Sequence, residues 1–132
     1  MRIAVDTNRY RDFCAGVPEA LEQFSIANAI FLPFVTLAEL RAGFLCGRLS
    51  RKNESVLMRF LNRPRIHLLF ADENTTHHYA RIFLQLRSQG TPIPTNDIWI
   101  AAHSLELGAE LVSFDRHFEL VPGIAVVNPD AP

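Results

Sequence analysis

The chain has 132 residues, 48% of them hydrophobic, and a formal net charge of -1. That is enough apolar material for one domain with a real core over residues 1–132, and too little positive charge for a domain coated in basic residues. The apolar run Ile3-Ala4-Val5 behind Met1-Arg2 is far too short for a signal or membrane segment, so the sequence reads as a soluble cytoplasmic protein. Cys14 and Cys46 lack CxxC spacing and read as free, buried thiols.

In chain order, Ile3-Ala4-Val5 is a short strand ending in Asp6, and Thr7-Asn8 lead into a helical segment from Arg9 to Cys14. Pro18 suits the first position of a helix over Glu19 to Ala29, with Ala20, Phe24 and Ala27 on one face. Ile30 to Pro33 is a second strand. Thr36-Leu37-Ala38-Glu39 has the capping-box pattern, and Leu40 and Phe44 continue an apolar face to Gly47. A polar helix starts at Ser50, buries Val56, Leu57, Phe60 and Leu61, and ends by Pro64. Ile66 to Phe70 is a third strand, and Asp72 can cap a long helix with Tyr79, Ile82, Phe83 and Leu86 inward and Gly90 at its end. Asn96 can cap the next helix, with Asp97 in its first turn; Ile98, Ile100, Ala101, Ala102 and Leu105 are too apolar for a surface helix, so it packs inside. Gly108 stops it, Glu110 to Phe114 is a fourth strand with Asp115 just beyond, and Ile124 to Val127 is a fifth. Alternating strands and helices predict a largely parallel sheet with helices on both faces.

In such a sheet ligands bind beyond the carboxyl ends of the strands. Asp6 and Asp115 follow strands, while Glu39 and Asp97 open helices, so all four can lie along one edge. Each also has an ordinary structural reading: Asp6 as a helix cap, Glu39 in a capping box, Asp97 in a first helical turn, Asp115 in a turn. Four carboxylates that close together repel, and some bind protons unless a cation offsets the charge. All-oxygen ligation points to Mg²⁺ or Mn²⁺, the ions that support in-line displacement at phosphate. No Gly-rich phosphate loop is present.

Charge is also uneven. Seven cations between Arg41 and Arg65 face one anion, Glu54, whereas six anions from Asp97 to Asp130 face Arg116; a basic flank beside an acidic pocket suits a polyanion, and a solvated helical face is the alternative. Among the histidines, His67, His77 and His78 read as structural or solvated, and His103 or His117 could approach a substrate.

Taken together, Asp6-Thr7-Asn8, Glu39 within Thr-Leu-Ala-Glu-Leu-Arg-Ala-Gly, Asn96-Asp97 with its apolar helix to His103, and Ser113-Phe114-Asp115-Arg116-His117-Phe118 resemble a PIN domain, and more narrowly the VapC ribonuclease toxins of prokaryotic toxin–antitoxin pairs. The resemblance covers nearly the whole chain. It implies a three-layer α/β/α fold with a mostly parallel central sheet, an Mg²⁺- or Mn²⁺-dependent endoribonuclease, a homodimer and a VapB-type antitoxin that blocks the site. It further implies Asp6 and Asp97 as principal metal ligands, Glu39 and Asp115 completing the pocket, and Thr7, Asn8 and Ser113 holding those acids or a water. Many relatives carry Thr where this chain has Ser113, and the hydroxyl survives. Arg9, Arg41 and Arg116, close in sequence to the acids, are candidates for RNA phosphate. Two rivals stand beside this reading: an RNA-processing or structure-specific DNA nuclease of the same fold without an antitoxin, and a non-catalytic metal- or RNA-binding module. The early phenylalanines Phe13, Phe24, Phe31, Phe34 and Phe44 are mostly core, and any left exposed would form a groove for the antitoxin helix or the dimer partner.

Overall fold

A computed structural model describes residues 1–113 and 115–127. Phe114, placed at the end of the fourth strand, and Asp130, counted among the late anions, lie outside the described residues. Strand β1 (Arg2–Val5) is followed by α1 (Thr7–Cys14), α2 (Pro18–Ile26), β2 (Ala29–Pro33), α3 (Phe34–Cys46), α4 (Ser50–Leu61), β3 (Ile66–Leu69), α5 (Glu73–Gln89), α6 (Thr95–Leu107) and β4 (Glu110–Val112). A short 3-10 helix, Arg116–Leu120, then leads to β5 (Val126–Val127). The strands form one sheet in the order β3-β2-β1-β4-β5, with every pair parallel.

The alternation of side chains along the inner strands builds three layers. Ile3 and Val5 of β1 and Ile30 and Leu32 of β2 join Phe24, Leu40, Leu57 and Phe60 in one core. Ala4 and Phe31, pointing the other way, join Ile82, Leu86, Ile98, Ile100, Ala101 and Ala102 in the second. Helix α6 is therefore walled in, as its composition predicts: Ile98 and Ile100 through Ser104, apart from Trp99, are buried.

The start and stop signals mostly act as expected. Pro18 opens α2, Asp72 caps α5 in a reciprocal capping box with Thr75, and Gly90 and Gly108 close α5 and α6 with positive φ of 72° and 65°. Two do not. Helix α6 begins at Thr95, so Asn96 lies inside the first turn and Pro94 precedes it with no side-chain cap. Helix α3 begins at Phe34, two residues before Thr36, so the Thr36–Glu39 pair is not a capping box. Thr36 is buried with its hydroxyl 3.5 Å from the Val5 carbonyl oxygen, which leaves Glu39 without a capping role.

Three surface expectations also change. Cys14 and Cys46 end α1 and α3 on their outer sides and are exposed. Phe24 and Phe31 are core, Phe13 and Phe44 are half-buried against the first core and Phe34 against the second, and the apolar residues left outside are others, led by Leu45 at 79% exposed. The run of cations from Arg41 to Arg65 is in part structural: Arg41 pairs with Glu54, Arg63 lies over Phe13 and Phe60, and Arg65 donates to the carbonyls of Phe24, Ser25 and Ala27 at the end of α2. No helix among the described residues is long and apolar enough to cross a membrane.

Candidate active site

From β1 the chain steps to β2 on one side and returns to β4 on the other, so the crevice at the carboxyl ends of β1 and β4 is the topological switch point of the sheet. Asp6 is the first residue past β1. Its extended backbone lets Oδ1 accept the Arg9 N–H at 2.9 Å and cap α1. Its other oxygen accepts the Ser113 hydroxyl at 2.5 Å from the end of β4, and Ser113 Oγ in turn accepts the Asp115 N–H at 2.9 Å. One buried hydroxyl thus ties the acid after β1 to the loop after β4. Asp115 caps the 3-10 helix through the His117 N–H. Glu39, on α3, lies 3.5 Å from the Thr7 hydroxyl, and Asp97 comes from the first turn of α6.

These four carboxylates line one cavity of about 200 Å³, together with Thr7, Asn8 and Arg11, over an apolar wall of Ile100 and Phe118. Their proton affinities record the crowding. Burial, chiefly, holds Asp6 above the usual carboxylate range, with the charges of Asp115 and Asp12 adding and the bonds from Ser113 and Arg9 opposing. Glu39 is raised by burial and then by the charge of Asp97. Asp97 is raised by burial and by Asp115, against the bond from His117. A pocket that holds three carboxyls above their ordinary range is one that a cation would relieve. Its donors are oxygens from Asp6, Glu39, Asp97 and Asp115, a set that fits a hard divalent ion. Asp97, Asp115 and His117 each offer one ligand atom, all within 4.8 Å of one another.

The three candidate phosphate-binding arginines are placed elsewhere. The Arg9 guanidinium is buried, donating to Gln23 at 2.9 Å and to Asp12 at 3.3 Å, and Arg41 bonds Glu54 at 2.8 Å. Arg116 is exposed on the 3-10 helix and does not line the cavity. Arg11 is the arginine that lines the cavity. A helix turns about 100° per residue, so Arg9 lies about 200° around α1 from Thr7 while Arg11 returns to within about 40° of it. A Cβ at Gly43 of α3 would stand 2.9 Å from Arg11 Nη2, so the glycine makes room for the guanidinium, whose charge lowers the proton affinity of Glu39.

His117 is the other residue that sequence reasoning under-weighted. Its Nδ1 is 2.9 Å from Asp97 Oδ2 and 3.0 Å from Asp115 Oδ1, and the bond to Asp97 raises its proton affinity. The available signal was the Asp115-Arg116-His117 spacing across a tight turn. His103, by contrast, is buried edge-on against Phe34 and points its ring into the core. His67 stacks on Phe31.

Comparison with known proteins agrees with this architecture. The PIN domain family model matches residues 3–124. The chain is 31% identical over 97 residues to Ribonuclease VapC1 of Haemophilus influenzae strain R2866, covering 74% of this chain and 71% of that one. It is 28% identical over 129 residues to the tRNA(fMet)-specific endonuclease VapC of Salmonella typhimurium, covering 96% of each. Among solved structures, VapBC2 of Rickettsia felis bound to a promoter DNA fragment superposes with a TM-score of 0.85 at 25% identity, over 98% of this chain and 100% of that one. With its parallel sheet, its acidic cavity at the switch point and these relatives, the chain belongs to the PIN-domain family and, within it, to the VapC-type ribonucleases.

Proposed function

We propose that this protein is a divalent-metal-dependent endoribonuclease that hydrolyses RNA phosphodiester bonds in the cytoplasm, the toxin of a pair whose VapB-type antitoxin neutralises it, and that it acts as a homodimer. The observation that carries the reading is the convergence of Asp6, Glu39, Asp97 and Asp115, from four separate segments, on one cavity at the switch point. An arrangement that raises the proton affinity of its own carboxyls is costly to a fold, and a function that uses the negative field explains its retention. Relatives named ribonuclease and neighbours that are VapBC complexes support the substrate class and the partner.

In this reading Asp6 and Asp97 would hold Mg²⁺ or Mn²⁺, with Glu39 and Asp115 completing the acidic shell. Such an ion supplies a more acidic bound water and charge neutralisation at phosphate. The chain's own groups do the positioning. Ser113 fixes the rotamer of Asp6 and the backbone of Asp115 through one hydroxyl. Thr7 faces Glu39 and orients its carboxylate toward the cavity, where a carboxylate can take a proton from an attacking water. Arg11, at the wall of the cavity, is the cation placed to meet a phosphate oxygen of the substrate. Ile100 and Phe118 exclude water from one side and so strengthen every electrostatic contact within.

The test is cleavage of a small-RNA pool by purified, antitoxin-free protein in Mg²⁺, in Mn²⁺ and in EDTA, beside Asp6→Ala and Asp97→Asn. Discrete products that need metal and vanish in both variants are expected, and sequencing their ends identifies the target. Folded protein that cuts nothing in either metal, or variants that cut as wild type does, would overturn the proposal.

A further inference from the structure

We propose that His117 is a metal ligand, contributing Nδ1 beside Asp97 and Asp115, so that the ion in this pocket meets a mixed oxygen and nitrogen donor set that selects Mn²⁺ over Mg²⁺. This rests on the nuclease reading above and says which ion that site is built for.

Three observations carry it. First, Nδ1 stands 2.9 Å from Asp97 Oδ2 and 3.0 Å from Asp115 Oδ1. Donors at about 2.1 Å from one ion and at right angles to each other are about 3 Å apart, so these two spacings, hydrogen-bond distances in the metal-free chain, already match those of neighbouring ligands around one octahedral cation. Second, the ring lies against two of the cavity's carboxylates, outside the cavity lining and outside the core. Its side chain is 46% exposed, it appears in neither apolar cluster, and its backbone N–H is bound to Asp115 Oδ1. The same carboxylate oxygen thus anchors the main chain of His117 and faces its ring nitrogen. Third, two independent segments supply the donors, Asp97 from α6 and the Asp115–His117 pair from the 3-10 turn, all within 4.8 Å. An ion bound there would join segments that α6 and the 3-10 helix already pack together.

The selectivity follows from donor chemistry. Mg²⁺ takes oxygen ligands, demands near-ideal geometry and keeps several waters, so an imidazole adds little to its binding. First-row transition ions accept imidazole nitrogen readily, and the neutral ring can offer Nδ1 with its proton on Nε2. The carboxylates bind either ion; the nitrogen separates them.

The test uses the full chain and Mn²⁺ itself. Titration followed by electron paramagnetic resonance measures Mn²⁺ binding to wild type, His117→Ala, His117→Gln and Asp97→Asn, and displacement by Mg²⁺ gives the second affinity. Pulsed resonance on bound Mn²⁺ reports a directly coordinated ¹⁴N. In wild type a ¹⁴N coupling is expected; in both His117 variants it disappears, Mn²⁺ binds at least about ten-fold more weakly and Mg²⁺ affinity barely moves. Wild-type protein that binds Mn²⁺ without a ¹⁴N coupling, or His117→Ala with unchanged Mn²⁺-to-Mg²⁺ preference, overturns the ligand role and leaves the nuclease reading standing. Mn²⁺ that does not bind wild type, or binds Asp97→Asn equally well, removes the metal site and this inference with it. Because the wild-type coupling decides the matter, no folding defect in a variant can mask the answer.

Discussion

Of the concavities among the described residues, a pair of similar size is built on opposite principles. One, of about 250 Å³, lies where Phe83, Leu86 and Arg87 of α5 meet Pro92, Ile93 and Ile98. The other, of about 200 Å³, is the acidic cavity at the ends of β1 and β4. The first is continuous with the core, since Leu86, Ile93 and Ile98 are themselves core residues whose burial favours folding. The second gathers carboxyls whose burial and mutual repulsion oppose folding. Apolar burial therefore marks where the fold is stabilised, whereas stored electrostatic cost marks the candidate site.

The sharpest way to separate the two is Asp97→Asn. Activity is expected to fall by about a thousand-fold or more, about 4 kcal/mol in the barrier, while the thermal midpoint in EDTA stays or rises because a repelling charge has gone. Added Mn²⁺ should raise the midpoint of wild type and leave the variant where it was. A variant that loses stability along with activity would break the contrast. Leu86→Ala makes the opposite cut. Leu86 is 1% exposed, so about 2–5 kcal/mol of stability should be lost in denaturant unfolding, with cleavage per folded molecule unchanged.

A smaller effect is expected from pH. The folded-state affinities of Asp6, Glu39 and Asp97 for protons lie above their unfolded values of 3.8 to 4.5, and that of His117 lies above 6.5. Groups raised in this way stabilise the fold fully below those unfolded values and lose that contribution as pH rises through their folded values. Metal-free protein should thus lose the carboxyls' contribution as pH rises from about 4, and that of His117 only as pH rises above 6.5. Asp72, whose carboxylate is lowered by the Thr75 N–H it accepts, pulls the other way, so the measurement is the difference between wild type and Asp97→Asn at several pH values in EDTA. A difference that grows as pH falls would have the wrong sign.

The smallest effect is Gly43→Ala. Its Cβ would press on the Arg11 guanidinium, a flexible group that can move aside, and alanine favours the helix by about 0.5–1 kcal/mol. Stability should therefore hold or rise slightly while cleavage slows by less than about ten-fold through a higher KM. Unchanged cleavage would remove Arg11 from the substrate path.

Local sequence carried far in this protein because its elements are strongly punctuated. Asp72, Pro18, Gly90 and Gly108 act within one turn of themselves, and the apolar composition of α6 could be satisfied only by burial. The errors fall where a distant partner decides. Thr36 looked like a cap, but its hydroxyl belongs to the carbonyl of Val5, 31 residues away. Arg9 is the nearer of the two to Asp6 in the chain, yet the turn of α1 sends it to Gln23 and sends Arg11 to the cavity.

From the sequence alone came the order of strands and helices, the parallel sheet and the four acids that such a sheet can bring to one edge, because periodicity and strand-end position are local properties. Only the tertiary structure decided that Ser113 joins Asp6 to Asp115, that Arg11 rather than Arg9 lines the pocket, and that His117 stands between two carboxylates. Those are contacts between segments up to 107 residues apart, set by how β1 and β4 pair and how α6 packs against them, and no spacing along the chain encodes such distances.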